Sequence, residues 1–532
     1  LSHPFGLMQY VGGWLAQFLF NPVKGAGILV ALWTAIFFLG VKAFRLQGGA
    51  MALMLLPVAC LLTSVVDLGY WIYTFTVRGY WFSQSVAYLL MLLLLWAARN
   101  TPRRYHLVWY LFSIGLYPVF GWFSLLFVLC LVLTDKLTWR ELLGVILLLF
   151  TANIWRALLY NNQKLDDILL AGMPRMSTPA DITPYLTTPF WVLGAITILL
   201  PLCGRYLSNL RTLVISLVPV LCAISGMLFT WLFMFHDSNY IDEMRMVRHA
   251  ENGNWEEVIH IVENKTSPTT SMVILKNIAL MNEGGLLERS FKMGNDGEGI
   301  YNPDSLHVSF LNIAAPVAYY NYGMINEGFR LAFECAVQTG FSPFYLKILA
   351  RCARANGEEA LVKRYVDLLH HHPHYRQWQP FPPSSYVYEL HNAYPDEISG
   401  VENSDSYIVN TISYWYRAKG KVASEQALFY SMIRCDADCF WPALRNYFRF
   451  HQDETFCVHA QEAYIMFFDR HPEEKRMMAP VSEEVYERYQ QFWDKLTTLM
   501  NSDVNKNEIP AIMHQDYGDT YWYYNIFKKR RY

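Results

Sequence analysis

Apolar residues run in long, nearly unbroken stretches through the first 235 positions and then give way to the three-and-four spacing of amphipathic helices. Six stretches, at about 24–41, 49–66, 80–98, 141–158, 187–203 and 212–235, approach the ~20 residues an α-helix needs to cross ~30 Å of hydrocarbon. A further stretch, Tyr105 to Thr134, is too long for one straight span and carries Gly115, Pro118 and Gly121 at its middle. Pro118 removes a backbone donor, so the pattern predicts two short helices turning at Leu116 to Gly121. Residues 1–21 hold too many polar and Gly positions for a span and read as an interfacial amphipathic helix. Residues 22–235 then form a transmembrane domain of about eight helices, the two short ones lying at 105–134.

From His236 one unit recurs: an amphipathic helix, a small turn with Gly, and a second amphipathic helix. It is found at Arg248 to Ile259, Ala279 to Leu287, Tyr320 to Leu331, Ala353 to Val362 and Tyr416 to Ala427. The turn glycines at 253, 284, 323, 357 and 420 are spaced by 31, 39, 34 and 63 residues, the last equal to two units with one degenerate. A period near 34 with Gly at the turn and Ala in the second helix resembles the tetratricopeptide repeat. An unrelated bundle of α-hairpins fits the same pattern. A charged helix near 482–500 caps the array, giving a helical repeat domain over 236–500. Residues 501–532 form an aromatic and basic tail, Tyr521-Trp-Tyr-Tyr-Asn-Ile-Phe-Lys-Lys-Arg-Arg-Tyr532, suited either to an anionic membrane surface or to packing back on the repeats with its cations solvated. The expected fold class is all-α: a polytopic transmembrane bundle followed by a soluble α-solenoid of repeat-like hairpins.

Composition sharpens this division. With 53% hydrophobic and only 17% charged residues, the chain is not an ordinary soluble enzyme. The first 235 residues hold 14 Lys+Arg against 6 Asp+Glu, and the remaining 297 hold 29 against 39. The acidic second half offers no basic stripe, which argues against nucleic acid as a partner. The nine cysteines are scattered singly, without a Cys-x-x-Cys pair or zinc spacing.

With the 105–134 hairpin, one side of the membrane holds Lys42, Arg45, Arg99, Arg103, Arg104, Lys136, Arg140, Arg205 and Arg211, and the other Lys24, Arg78, Arg156, Lys164 and Arg175. The nine-to-five excess assigns the first set to the cytoplasm. The second half then lies on the periplasmic or outer side of the inner membrane, and an additional spanning or signal segment is expected before Leu1. Read as one span, 105–134 gives eight to six and moves the second half to the opposite side.

Ionisable residues at membrane depth are costly and mark candidate sites. Asp67 ends one span ahead of an aromatic loop that holds Arg78; Arg156 ends another, followed by Asp166 and Asp167 in the long 157–186 connection. Together they suit a polar lipid headgroup, Arg78 and Arg156 gripping its phosphate while Asp67, Asp166 or Asp167 serves as a base or binds a divalent cation. An Asp67 ion pair with Arg156 or Arg78, with interfacial snorkelling, is the structural alternative. His370, His371, His372 and His374 crowd a helix end around Pro373, where they either bind a metal or are simply solvated beside the helix dipole. The chain has no phosphate-cradling Gly-rich loop with Lys, no His-Glu-x-x-His and no Gly-x-Ser-x-Gly elbow.

An interfacial helix, short irregular spans, outer-face Asp and Arg residues and a trailing helical-repeat domain together resemble the GT-C class of membrane glycosyltransferases. The plan is similar to the protein O-mannosyltransferases that carry tetratricopeptide repeats. The resemblance is one of organisation, with no family motif matched residue by residue. In that class the catalytic acid sits in the first outward loop, of which only Ser2-His3-Pro4 falls within this chain, so no family catalytic residue is carried over. The resemblance implies transfer of a sugar from a polyprenyl-phosphate lipid in the bilayer to a protein or glycan held by the repeats. A competing expectation is a non-enzymatic scaffold whose repeats bind a protein or peptide partner and assemble an envelope complex. A transporter is disfavoured, since no inverted repeat is evident.

Overall fold

The computed structural model describes residues 3–69, 77, 79–134, 139–174, 183–206, 212–265, 267–295, 315–393, 412, 417, 419–452, 455–470 and 478–528. Among them the chain is helical and contains no β-strand, as the apolar pattern predicts. It divides into two compact units, Leu1–His236 and Asp237–Tyr532.

In the first unit all six long apolar stretches are helices. They are α2 (Pro22–Phe44), α3 (Leu55–Val66, preceded by a 3-10 turn from Gly48), α4 (Tyr80–Arg99), α8 (Trp139–Leu158), α10 (Thr183–Tyr206) and α11 (Thr212–Phe233). Four described helices are long and apolar enough to cross a membrane: Pro22–Phe44, Gly48–Val66, Tyr80–Arg99 and Glu141–Leu158. The first and last of these leave most of their apolar length uncovered, which in water would be an unfavourable surface and in lipid is an ordinary one. Asn21 starts α2 by accepting from the N–H groups of Val23 and Lys24, with Pro22 pre-set at the first helical position.

The 105–134 segment is not one helix. It breaks into α5 (His106–Gly115), a single turn α6 (Tyr117–Phe120) and α7 (Trp122–Thr134). The two longer pieces pack together, with Ser113 Oγ donating to Ser124 O at 3.1 Å. Sparse polar bonds tie neighbouring helices where apolar contact alone gives little specificity: Trp33 Nε1 to Ser85 Oγ at 3.0 Å, Tyr88 Oη with Thr197 Oγ1 at 3.0 Å, and Thr63 Oγ1 to Thr230 Oγ1 at 3.2 Å.

Residues Gly6–Ala16 form α1, which lies against α4 where Gly12 meets Gly79 and Ser83 with no room for a side chain. Its outer face shows Leu7, Tyr10 and Trp14 to the surroundings. At the far end, α2 and α4 cap each other: Arg45 Nη2 donates to Arg99 O at 2.9 Å, and Arg99 Nη1 donates back to Ala43 O. Each guanidinium thus satisfies carbonyls that its neighbour's final turn leaves open.

The second unit is built of α-hairpins. Of the five glycines read as turns, four separate described helices. Gly253 divides α12 (Ser238–Asn252) from α13 (Trp255–Glu263), and Gly284 divides α14 (Thr270–Glu283) from α15 (Leu286–Arg289). Gly323 lies between α16 (Ala315–Asn321) and α17 (Ile325–Thr339), and Gly357 between α18 (Pro343–Ala355) and α19 (Glu359–His370). Gly323 shows why the residue is needed: its φ is 75°, and a Cβ there would strike the backbone of α20 (Ser385–Ala393). Gly420 stands before α21 (Lys421–Arg434), which pairs with α22 (Ala437–Phe450).

The described part of the aromatic and basic tail, residues 501–528, packs back into this unit, the second of the two arrangements the sequence allows. After α23 (Val458–Arg470), α24 (Glu483–Met500, capped by Ser482) and α25 (Ile509–Tyr517), a closing turn at Tyr521–Tyr523 inserts its aromatic rings inward. Tyr521 and Trp522 are fully buried, and Phe291 meets the rings of Phe429, His459, Tyr521 and Tyr524. Aromatic rings offer more apolar area than the basic residues beside them, which is why this segment packs inward.

Candidate functional site

Four chain segments meet at one end of the first unit: the start of α1, the start of α4, the turn at α6, and the loop after α8. Phe5 N–H donates to Pro118 O at 2.7 Å and Trp122 N–H to Ala171 O at 2.9 Å. Gln84 Nε2 on α4 donates to Gly172 O. Phe5 holds a left-handed φ of 71° with its ring fully buried beside Phe123. Gly172, at φ 98°, passes close over that ring, and a Cβ would sit 3.0 Å from a Phe5 ring carbon. The 116–121 turn therefore shares an end with the 159–173 loop.

These segments enclose a cleft of about 300 Å³, lined among others by His3, Gln9, Val77, Gln163, Asp167 and Gly172. Asp167 sits on the short helix α9 (Leu165–Leu169), half-buried. That helix is pinned from below, since Ile168 packs with Tyr117, Ala152 and Tyr160, and Tyr117 Oη donates to Ile168 O. Gln163 Nε2 lies 2.8 Å from His3 Nδ1. With the amide as donor, Nδ1 is the bare nitrogen and a neutral imidazole carries its proton on Nε2. The cleft thus combines a carboxylate, an imidazole and two carboxamides, a set that suits hydroxyl-rich ligands. One carboxylate and one imidazole are too few to hold a hard divalent cation by themselves.

Among the described residues, the candidates from the sequence do not converge as a group. Asp167 lines the cleft, whereas Asp166 beside it faces outward. Arg156 is exposed near the end of α8, among exposed Leu149, Phe150, Leu158 and Leu159, and no ion pair joins it to Asp67 among the described residues. Arg78 lies outside the described residues. Asp67, the first residue past the Gly48–Val66 span, is 1% exposed, and among the described residues neither carboxylate oxygen has a hydrogen-bond partner. Burial pushes its carboxyl from 3.8 up to about 8, against the smaller opposing pull of its own backbone N–H.

A carboxyl raised in this way favours the fold below the unfolded-state value, and that contribution is lost as pH rises toward the folded-state value. We expect the Asp67 contribution to thermal stability to fall between pH ~4 and ~8, so that wild type loses more stability across that range than Asp67→Asn does. Parallel melting curves across that range check it; identical slopes would contradict the burial argument.

The histidines near Pro373 turn to separate partners. His370 Nε2 lies 3.1 Å from Trp378 O, His371 Nδ1 lies 2.7 Å from Asp367 O, and the His372 and His374 rings are 5.6 Å apart beside Tyr375. Burial and the neighbouring His374 both lower the His372 pKa. Among the described residues no group of three or more His, Cys, Asp or Glu side chains is placed to hold a metal ion.

Gln9, Val77 and Gln163 had no distinguishing signal in the sequence beyond a carboxamide in an apolar helix and another following Asn161-Asn162. The model of a family of unknown function, DUF6057, matches residues 1–528, and the chain belongs to that family. No curated protein and no solved structure matches it.

Proposed function

We propose that this family member is a membrane-embedded transferase that takes a sugar from a polyprenyl-phosphate carrier and passes it to a protein or glycan hydroxyl at the loop-end cleft. The observation that carries this reading is the meeting of His3, Gln163 and Asp167 in one polar cleft at the end of apolar helices. Asp167 accepts the proton of the acceptor hydroxyl as its oxygen attacks the anomeric carbon. The bond from that carbon to the phosphate oxygen breaks, and the carrier phosphate leaves with the electron pair. Arg156, exposed on a lipid-facing stretch, meets the charge of that phosphate, while His3 and Gln163 orient the sugar hydroxyls. The helical hairpins of the second unit hold the acceptor. We place them on the periplasmic side, following the nine-to-five charge count that the hairpin at 105–134 produces.

The test is transfer of radiolabelled sugar from a polyprenyl-phosphate carrier by the purified full chain in lipid vesicles, with periplasmic protein extract as acceptor. Wild type should transfer label, and Arg156→Ala should raise the KM for the carrier about tenfold, as expected for loss of one charge-assisted hydrogen bond. Absence of transfer from any polyprenyl-phosphate sugar overturns the reading. A scaffold role is the second reading, favoured by the exposed apolar side chains Phe333 and Val337 on α17 with Phe341 just beyond it.

A further inference from the structure

At the opposite end of the first unit α2 and α4 finish together. We propose that this end is a binding surface for the headgroups of anionic phospholipids. The inference uses only the membrane character of the first unit and does not depend on the cleft.

Lys42, Arg45, Arg99, Arg103 and Arg104 fall within or just beyond the last turns of α2 and α4. The structure separates them by task. Arg45 and Arg99 are held by backbone carbonyls across the two helices, which draws the two chain ends together. Lys42 and Arg104 are exposed, and Arg104 lies 4.8 Å over the ring of exposed Tyr105. The carboxylate of Glu141 at this end is buried beside His106 at 3.9 Å. Trp96, in the last turn of α4, and Trp139, the first residue of α8, add amphipathic rings that are 40% and 66% exposed.

Cations on flexible stems, aromatic rings with one wet edge, and apolar helices beginning immediately behind them match the chemistry of a negatively charged leaflet. The stacking of Arg104 on Tyr105 holds one charge outward at little entropic cost. A nucleic acid or an acidic peptide would not use the apolar surface that continues beneath these residues; a phospholipid would occupy both.

The experiment uses the purified full chain in nanodiscs of phosphatidylcholine with and without phosphatidylglycerol, reading retained lipids by native mass spectrometry. Wild type should retain phosphatidylglycerol in preference to phosphatidylcholine, and the preference should weaken at high salt. Lys42→Gln and Arg104→Gln should each reduce it about fivefold, the effect of removing one cation from an anionic surface. Arg104→Lys should keep it, since the charge remains, and also shows that position 104 tolerates change if the Gln variant proves poorly folded. Equal retention of the two lipids by wild type, or an undiminished preference in both Gln variants, overturns the proposal. So does displacement of the lipid by soluble glycerol phosphate at matched ionic strength, which would mark a free-phosphate site instead.

Discussion

Trp522→Ala should lower the unfolding free energy of the second unit by about 3–5 kcal/mol, a large share of the ~5–15 kcal/mol that holds a typical domain folded. The side chain is fully buried, its ring lies 5.1 Å from that of Tyr489 and 5.9 Å from that of Phe492, and its Nε1 donates to Glu462 O at 2.9 Å. Truncation therefore empties a large volume and leaves a core helix without one of its bonds. Glu462 is committed at the same place: its carboxylate accepts from Tyr521 N–H at 2.8 Å and approaches His459 Nδ1 at 2.9 Å. Hydrogen exchange of the second unit in the full chain measures the loss, with Met478→Ala, 93% exposed, as an unaffected control. A change under ~1 kcal/mol would mean that the closing turn is a surface appendage and not core.

The second large effect concerns chemistry. Asp167→Asn should reduce the rate of sugar transfer by about 10²–10⁴, the usual contribution of a positioned general base. The KM for the carrier and the melting temperature should stay near wild type, because the amide keeps the shape of the side chain. Asp166→Asn should leave the rate close to wild type, since that side chain faces away from the cleft. Initial rates with the polyprenyl-phosphate donor separate the two positions. If Asp166 and not Asp167 carries the loss, the described position of α9 cannot be the one that reacts.

The helices were legible because their signal is local. Each apolar stretch of the first unit can be recognised without knowing its neighbours, and the break at Pro118 follows from one missing donor and the glycines three positions to either side. Gly253, Gly284, Gly323 and Gly357 were equally readable, since each sits between two amphipathic runs and the turn itself demands the residue. The cleft was legible only in part. Asp167 stood out as a charge in a long loop, yet the sequence offered no way to choose it over Asp166, because the difference is which side of a single helical turn meets Ile168, Tyr117 and Tyr160. Asp67 carried the same signal as a charge at a helix end, but its burial depends on α4 and α11 arriving beside α3, and long-range packing leaves no local mark. His3 and Gln163 are 160 positions apart. For the closing turn the sequence left a membrane surface and inward packing both open, because its rings answer to Phe291, Tyr489 and Phe492, none of them adjacent in the chain.

The closing turn also sets an order of events during synthesis. Phe291 is buried, and four of the rings it meets, Phe429, His459, Tyr521 and Tyr524, are made much later by the ribosome. About 230 residues separate it from Tyr521, so at ~5–20 residues per second its pocket stays unfinished for roughly 10–50 s after it is translated. During that interval the growing chain presents an open aromatic core while the apolar helices before it have already been made. Slowing elongation should lengthen that exposure in proportion.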